Sequence, residues 1–258
     1  MTQSLHPAAA GGFRAAAELY QNVRPNYPHD ITTWLSQDLY LDQHCHVLDL
    51  GSGTGKFLPY LQQTQANILA VEPIHEMLAQ LKHAFPQIHT LQAKSDALPV
   101  PEQSFDAVVC AQSFHWFDNI ESLTEIYRVL KPSGHLGLIW NQRDCRVPWV
   151  QALAEHIAPF EGNTPRYHSN QWKKVFENQT LFASVDLKIF QQQHVGSVEQ
   201  VVSKRLLSTS FIAALPVIEQ QKLKQEFEHI VYQHTGLSLD QEICFPYQTF
   251  AYHFKKLP

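Results

Sequence analysis

The chain has 258 residues, a formal net charge of −5 with histidine neutral, 44% hydrophobic residues and 17% charged residues. That is enough apolar material for one large packed α/β domain, and too much for bulk disorder. A weakly acidic balance with no run of Lys or Arg longer than two residues lacks the broad cationic field that attracts phosphate backbones, which sets nucleic acid aside as a partner.

The 15 histidines are scattered without metal-ligand spacing, so no metal site is expected. Cys45, Cys110, Cys145 and Cys244 form no Cys-x-x-Cys motif, and Cys110 sits in an apolar run as a small buried hydrophobe. With no secretory signal and no stretch approaching a membrane span, reduced thiols and a cytoplasmic location are expected. The expected partner is a small-molecule substrate, and composition leaves the oligomeric state open.

Ala8–Gly12 reads as a short flexible leader. Phe13, Ala16, Ala17 and Tyr20 have helical spacing, and two prolines in Val23–Pro28 break it. Ile31–Leu41 reads as a second helix. The next segments alternate: strand His46–Leu50, helix Phe57–Gln63, strand Ile68–Val71, helix Ile74–Phe85 and strand Ile88–Gln92. Phe105–Ala111 is a near-continuous apolar strand, as expected when both sheet faces are covered. Helix Ile120–Leu130 is ended by Lys131-Pro132-Ser133-Gly134, and His135–Trp140 is the fifth strand.

This alternation predicts right-handed βαβ units in a doubly wound, mostly parallel, Rossmann-like α/β sheet. Beyond residue 141 the pattern weakens. Pro148–Phe160, Gln171–Glu177, Val198–Leu207 and Pro216–Thr235 read as helices, and Val185–Val195 and Glu242–His253 as strands. The whole chain is expected to be a single domain. Residues 13–145 form its core, about 146–235 form helical additions and a cap around one late strand, and 242–254 form the closing strand.

The chemistry concentrates in the first strand-to-helix turn, Val47-Leu48-Asp49-Leu50-Gly51-Ser52-Gly53-Thr54-Gly55-Lys56. Glycines there permit a tight turn and close approach of a ligand, and open α/β sheets bind ligands beyond the carboxyl ends of their strands. A dinucleotide fingerprint is Gly-x-Gly-x-x-Gly; here the third glycine comes one residue early. A P-loop requires a hydroxyl after Gly-Lys; here Phe57 follows Lys56. Asp49 puts a negative charge beside the ligand, which suits an amine and a sulfonium better than a pyrophosphate. Glu72, ending the second apolar run, can accept hydrogen bonds from ribose hydroxyls. Asp96 follows the third and can accept from an exocyclic adenine amine.

Together, Val47–Gly55, Ala70–Met77, Ser95–Pro99, Phe105–Phe117 and Tyr127–Trp140 resemble the successive motifs of class I S-adenosylmethionine-dependent methyltransferases of the type 11 group. Tyr20…Arg24-Pro25-Asn26-Tyr27-Pro28, Ser113-Phe114-His115-Trp116-Phe117-Asp118 and Ile139-Trp140-Asn141-Gln142-Arg143-Asp144 are similar to a subgroup that includes trans-aconitate-methyltransferase-like proteins and their fungal relatives. The resemblance covers residues 13–145 well and implies a seven-stranded sheet whose last strand is antiparallel. Ser133-Gly134 departs from the usual Gly-Gly.

S-adenosylmethionine is then the implied cofactor. Gly51, Ser52, Gly53 and Gly55 would approach its methionine part, and Asp49 its amine. Glu72 would hold the ribose, while Pro73, Ile74 and Met77 would pack on the adenine and Asp96 and Ala97 contact its edge. Gln112 and Ser113 would lie beside the sulfonium. Tyr20 and Arg24 are implied in an N-terminal segment closing over the site, with Arg24 pairing with the methionine carboxylate. Tyr27, Trp116, Trp140, Asn141 and Arg143 are candidate acceptor residues, and His115 is the candidate catalytic group, either a base or an orienting residue.

The absence of a strong base motif leans toward an acceptor that is already ionised, such as a carboxylate. The predicted cap carries Phe211, Ile212 and Leu215 and is the expected source of acceptor specificity. A non-catalytic S-adenosylmethionine-binding or scaffold protein on the same fold is the alternative; the glycine spacing disfavours a nicotinamide-dependent oxidoreductase.

Overall fold

A computed structural model describes residues 23–258. The helix expected over Phe13–Asn22, and Tyr20 with it, lie outside them. The described residues contain a seven-stranded sheet in the order β3-β2-β1-β4-β5-β7-β6. Its strands are β1 His46–Leu50, β2 Asn67–Val71, β3 His89–Leu91, β4 Phe105–Ala111, β5 Leu130–Arg143, β6 Phe182–Ser197 and β7 Glu242–Lys256.

The first five pair in parallel, β1 with β2 and β4, β2 with β3, and β4 with β5. The last two reverse direction relative to each other. Leu257 N, just past the end of β7, donates to Leu181 O before β6, and Val198 N after β6 donates to Gln241 O before β7. The end of β7 likewise meets the start of β5, where Lys256 Nζ donates to Leu130 O. This is the mostly parallel sheet with one antiparallel strand that the alternation and the resemblance predict.

Helices follow the sequence signals with small shifts. Helix α1 is Ile31–Gln37, shorter than expected because Tyr40 takes a left-handed φ of 56°. Helices α2 Leu58–Gln63 and α3 His75–Ala84 follow β1 and β2. Helix α4, Ile120–Val129, starts at Asn119, whose Oδ1 accepts from Ser122 N at 2.8 Å, an N-cap that satisfies an otherwise orphaned donor. Its Leu123, Ile126 and Val129 are fully buried, one apolar stripe on the sheet.

The expected break at Lys131–Gly134 is instead a bulge inside β5. Phe105 pairs with Leu130, pairing resumes at Ala107 with His135, and Ser133 sits at φ 61°. Lys131 Nζ holds both carboxylate oxygens of Asp106 opposite the bulge, which lets the strand continue through Pro132.

The chain separates into two compact units. Of the described residues, the larger comprises 27–140, 165–190 and 249–258; the smaller comprises 23–26, 141–164 and 191–248. Strands β5, β6 and β7 contribute residues to both.

In the larger unit one buried cluster gathers Trp34, Leu35, Leu39, Val47, Leu58, Leu61, Ala107 and Val109. A second gathers Leu48, Leu50, Val108, Phe114, Leu123, Ile126, Leu138 and Trp140. Alternate residues of β1 and β4 enter different clusters, so both sheet faces are covered.

The smaller unit has its own core of Trp149, Val150, Leu153, Val201, Val202, Leu206, Phe227, Phe245 and Tyr247. Its helices are α5 Pro148–Ile157, α6 Arg205–Leu207, α7 Ser210–Ala213 and α8 Val217–Thr235. Pro148 occupies the first turn of α5, and Gly236 at φ 73° ends α8. The helix expected over Val198–Leu207 is a π-helical segment, Glu199–Lys204, continued by α6, and that expected over Gln171–Glu177 is a 3₁₀ segment, Gln171–Phe176.

Candidate active site

The site in the larger unit is built where β1 ends. Gly51 N and Ser52 N both donate to Val71 O, at 2.8 and 3.0 Å, which ties the loop to β2. Gly51, Gly53 and Gly55 all have positive φ, at 73°, 57° and 86°, a region that costs other L-residues about 1–2 kcal/mol.

Space separates their roles. A Cβ on Gly51 would lie 2.5 Å from Ser113 Cβ, and one on Gly55 would lie 2.8 Å from the Phe85 ring. Those two are required by packing. A Cβ on Gly53 would meet nothing nearer than Met77 Sδ at 4.0 Å. Gly53 therefore faces open space, with backbone exposed to a ligand. Ser113 Oγ donates to Leu50 O at 2.7 Å, fastening the end of β4 to the end of β1.

Two carboxylates stand under this loop. Asp49 is completely buried, and neither of its oxygens has a hydrogen-bond partner. Burial, with the Glu72 charge adding to it, pushes its carboxyl up to about 7. Glu72 is also buried; its Oε2 accepts from Gly53 N and its Oε1 from Ile74 N, each at 2.9 Å. Burial pushes Glu72 up to about 7 as well, against the pull of those two N–H groups. Each Glu72 oxygen keeps a second lone pair for a further donor.

An orphaned buried carboxylate next to Glu72, itself held by the N–H of a glycine that faces open space, fits a cationic ligand, since a nearby positive charge favours the ionised form. Ile74 and Met77 are buried beyond Glu72, and Asp96 Oδ1 is buried without a partner.

At the end of β4, Gln112 takes a left-handed φ of 62° while its N–H still donates to Ile139 O at 2.8 Å. Non-glycine residues held there store strain, a frequent mark of sites. His115 and the fully buried Trp140 meet next, where Trp140 Nε1 donates to His115 Nδ1 at 3.0 Å. An indole N–H can only donate, so Nδ1 accepts and the neutral ring carries its proton on Nε2. The Trp116 ring lies against His115, with centroids 5.1 Å apart. Tyr27 is buried, its ring edge-on to Phe57 and its N–H donating to Tyr60 Oη.

Pro73 and Ala97 also lie in the larger unit, whereas Arg24, Asn141 and Arg143 fall in the smaller one. Asn141 is buried and its Nδ2 donates to Asn26 O at 3.0 Å; Arg24 Nη2 donates to Ser208 O at 2.9 Å. Arg143 Nη1 is buried without a partner. Two neighbours of Arg143 escaped the sequence reading, Arg205 and Tyr247. Arg205 left one signal, a cation beside Lys204 that stands at helical spacing from Val201 and Val202.

A doubly wound sheet with an orphaned acid under a glycine loop after β1, and a second acid ending β2, is the arrangement of a class I S-adenosylmethionine-dependent methyltransferase. Residues 48–138 match the family model described as methyltransferase domain. An uncharacterized methyltransferase-like protein of Schizosaccharomyces pombe is 35% identical over 247 residues, covering 95% of this chain and 96% of its own. An uncharacterized methyltransferase of Mycobacterium bovis is 35% identical over 206 residues, covering 75% of this chain and 82% of its own. Among solved structures, a putative type II methyltransferase from Anaeromyxobacter dehalogenans superposes with a TM-score of 0.63 at 18% identity, covering 90% of this chain and 97% of that one. The chain belongs to this methyltransferase family, in its type 11 group.

Proposed function

We propose that the protein transfers a methyl group from S-adenosylmethionine to a small-molecule acceptor, with a carboxylate oxygen as the favoured acceptor chemistry. The observation that carries the reading is the buried Asp49 carboxylate, without a hydrogen bond, next to Glu72, whose Oε2 accepts from the open-faced Gly53.

Bound S-adenosylmethionine supplies a methyl carbon already activated by its sulfonium. The residues of this chain bind, align and exclude water. Asp49 receives the cofactor's amine charge. Gly53 gives its backbone to the methionine part, and Glu72 uses its remaining lone pairs on the ribose. Pro73, Ile74 and Met77 cover the adenine, with Asp96 and Ala97 at its edge. Gln112 and Ser113 line the sulfonium end.

His115 serves as an orienting donor through Nε2–H. Its Nδ1 is engaged by Trp140, so accepting a proton there requires that bond to break. A carboxylate acceptor is ionised near neutral pH and needs no base, which agrees with such a His115.

The test is transfer of radiolabelled methyl from S-adenosylmethionine across small acids, quinols and lipids. Labelling of a carboxylic acid as its methyl ester is the expected outcome. Labelling only of amines or carbon acids overturns the carboxylate assignment, and silence on a broad panel, with tight cofactor binding, overturns the catalytic reading in favour of a non-catalytic binder.

A further inference from the structure

The smaller unit buries cationic groups that its own acids do not neutralise. Arg143 Nη1, Arg205 Nε and Tyr247 Oη are all buried without a hydrogen-bond partner. Arg205 is 9% exposed, and among the described residues its side chain makes one long bond, 3.5 Å from Nη1 to Thr209 Oγ1. Arg143 is half-buried, so the group remains reachable.

Glu155, Glu219, Asp240 and Glu242 of the unit are exposed, and its less exposed acids are engaged elsewhere. Asp144 is held by Arg146, Glu226 by His156, Glu228 by Lys224 and Ser203, and Glu199 by Lys204. Glu161 acts on Arg143 only weakly and has an interaction of its own. Among the described residues, no carboxylate forms an ion pair with Arg143 or Arg205. Asp144 N, next to Arg143, donates to Pro246 O, next to Tyr247, and Arg205 lies between Val202 and Leu206 of the core that holds Tyr247, so the two arginines oppose each other. Burial first, and then the Arg205 charge, lowers the Arg143 pKa, with Tyr247, Cys145 and Glu161 pulling the other way.

Buried like charges without a counter-ion are costly, and buried charges are ordinarily paired. Guanidinium groups present planar forks of donors that match carboxylate and phosphate oxygens two at a time. A phenol hydroxyl adds a third donor to the same oxyanion.

We propose that Arg143, Arg205 and Tyr247 form a binding site for an oxyanion, the carboxylate or phosphate group of a small ligand. The site is built within the smaller unit, and the proposal stands independently of the methyltransferase reading.

The test is a thermal-shift titration of the full chain with inorganic phosphate and with succinate, against sodium chloride at matched ionic strength. A saturable rise with either oxyanion, absent with chloride, is expected. Phosphate alone identifies a phosphate-bearing ligand, and succinate alone identifies a carboxylate-bearing one.

Arg143→Met and Arg205→Met should each weaken the response by about tenfold or more, and Tyr247→Phe by less. Arg143→Lys and Arg205→Lys, which keep the charge and lose the fork, should also weaken it and serve where the Met variants do not fold. All these variants should keep the thermal shift given by S-adenosylhomocysteine. A wild-type response no larger than that to chloride overturns the proposal, as do Met and Lys variants that respond like wild type. Loss of the S-adenosylhomocysteine response in the wild type overturns the methyltransferase reading and leaves this one untouched.

Discussion

Trp140 Nε1 donates a hydrogen bond to His115 Nδ1 at 3.0 Å, joining the end of β5 to the turn after β4. Trp140 is completely buried against Tyr167, Trp172 and Tyr252, so this donor cannot move away without disturbing an aromatic cluster. The tautomer of His115 is fixed as firmly as its position.

His115→Gln, which keeps a side-chain N–H donor, should therefore retain most of the methyl-transfer rate. His115→Ala should lose about tenfold, the worth of one hydrogen bond to a charged group. Steady-state kinetics with the identified acceptor measure both. A loss of a hundredfold or more in both variants would instead mark His115 as a base.

The three glycines of the first turn separate by experiment. Gly51→Ala puts a methyl group 2.5 Å from Ser113 Cβ at a φ of 73°, so it should destabilise the protein by about 2–5 kcal/mol. Gly53→Ala adds a methyl group in open space at a φ of 57° and should cost only about 1–2 kcal/mol of stability. It should, however, weaken cofactor binding by more than tenfold. Chemical denaturation and calorimetric titration read the two effects, and equal loss of stability in both variants would remove the distinction.

The acid pair makes stability and binding depend on pH in a definite direction. Asp49 and Glu72 are raised from ordinary carboxylate values of 3.8 and 4.5 to about 7 in the folded chain. The folded state holds their protons more tightly than the unfolded state. Their contribution is thus fully present below about pH 4 and is lost as pH rises through about 7. Asp49→Asn should stabilise the cofactor-free protein at pH 8 and flatten this dependence. A cationic ligand favours the ionised pair, so the thermal shift given by S-adenosylmethionine should grow from pH 6 to pH 8. A shift that shrinks over that range contradicts the placement of Asp49.

A histidine pair in the larger unit acts with the opposite sign. His135 Nδ1 and His253 Nε2 lie 2.8 Å apart, which requires one donor and one acceptor. Burial, and then the neighbouring His253, lowers His135 from 6.5 to about 4. The stability this pair contributes is present above about pH 6.5 and is lost as pH falls through about 4. His135→Asn should narrow the acid-side fall in melting temperature between pH 6.5 and pH 4, and an unchanged profile would dissociate the pair from acid sensitivity.

What the sequence revealed followed from local signals. β1 and β4 fell where expected because continuous apolar runs end at glycines or polar turns. Asp49, Glu72 and the glycine spacing were legible because they follow strands within one motif. The bulge at Lys131–Gly134 was not, since Lys-Pro-Ser-Gly reads as a stop and only the pairing with Asp106 shows the strand continuing. The His115–Trp140 bond joins residues 25 apart in sequence, and no local pattern links the two side chains. Arg205 and Tyr247 join Arg143 only through the packing of the smaller unit, and no spacing rule connects positions so far apart in the chain.

On this reading the loop from Asp49 to Gly55 holds S-adenosylmethionine. Calorimetric titration of the wild type and of Gly53→Val with S-adenosylhomocysteine and with NADH tests it most directly. The wild type should bind S-adenosylhomocysteine and not NADH, and a folded Gly53→Val should bind neither. Binding of NADH alone, or full retention of S-adenosylhomocysteine affinity in Gly53→Val, would contradict the account.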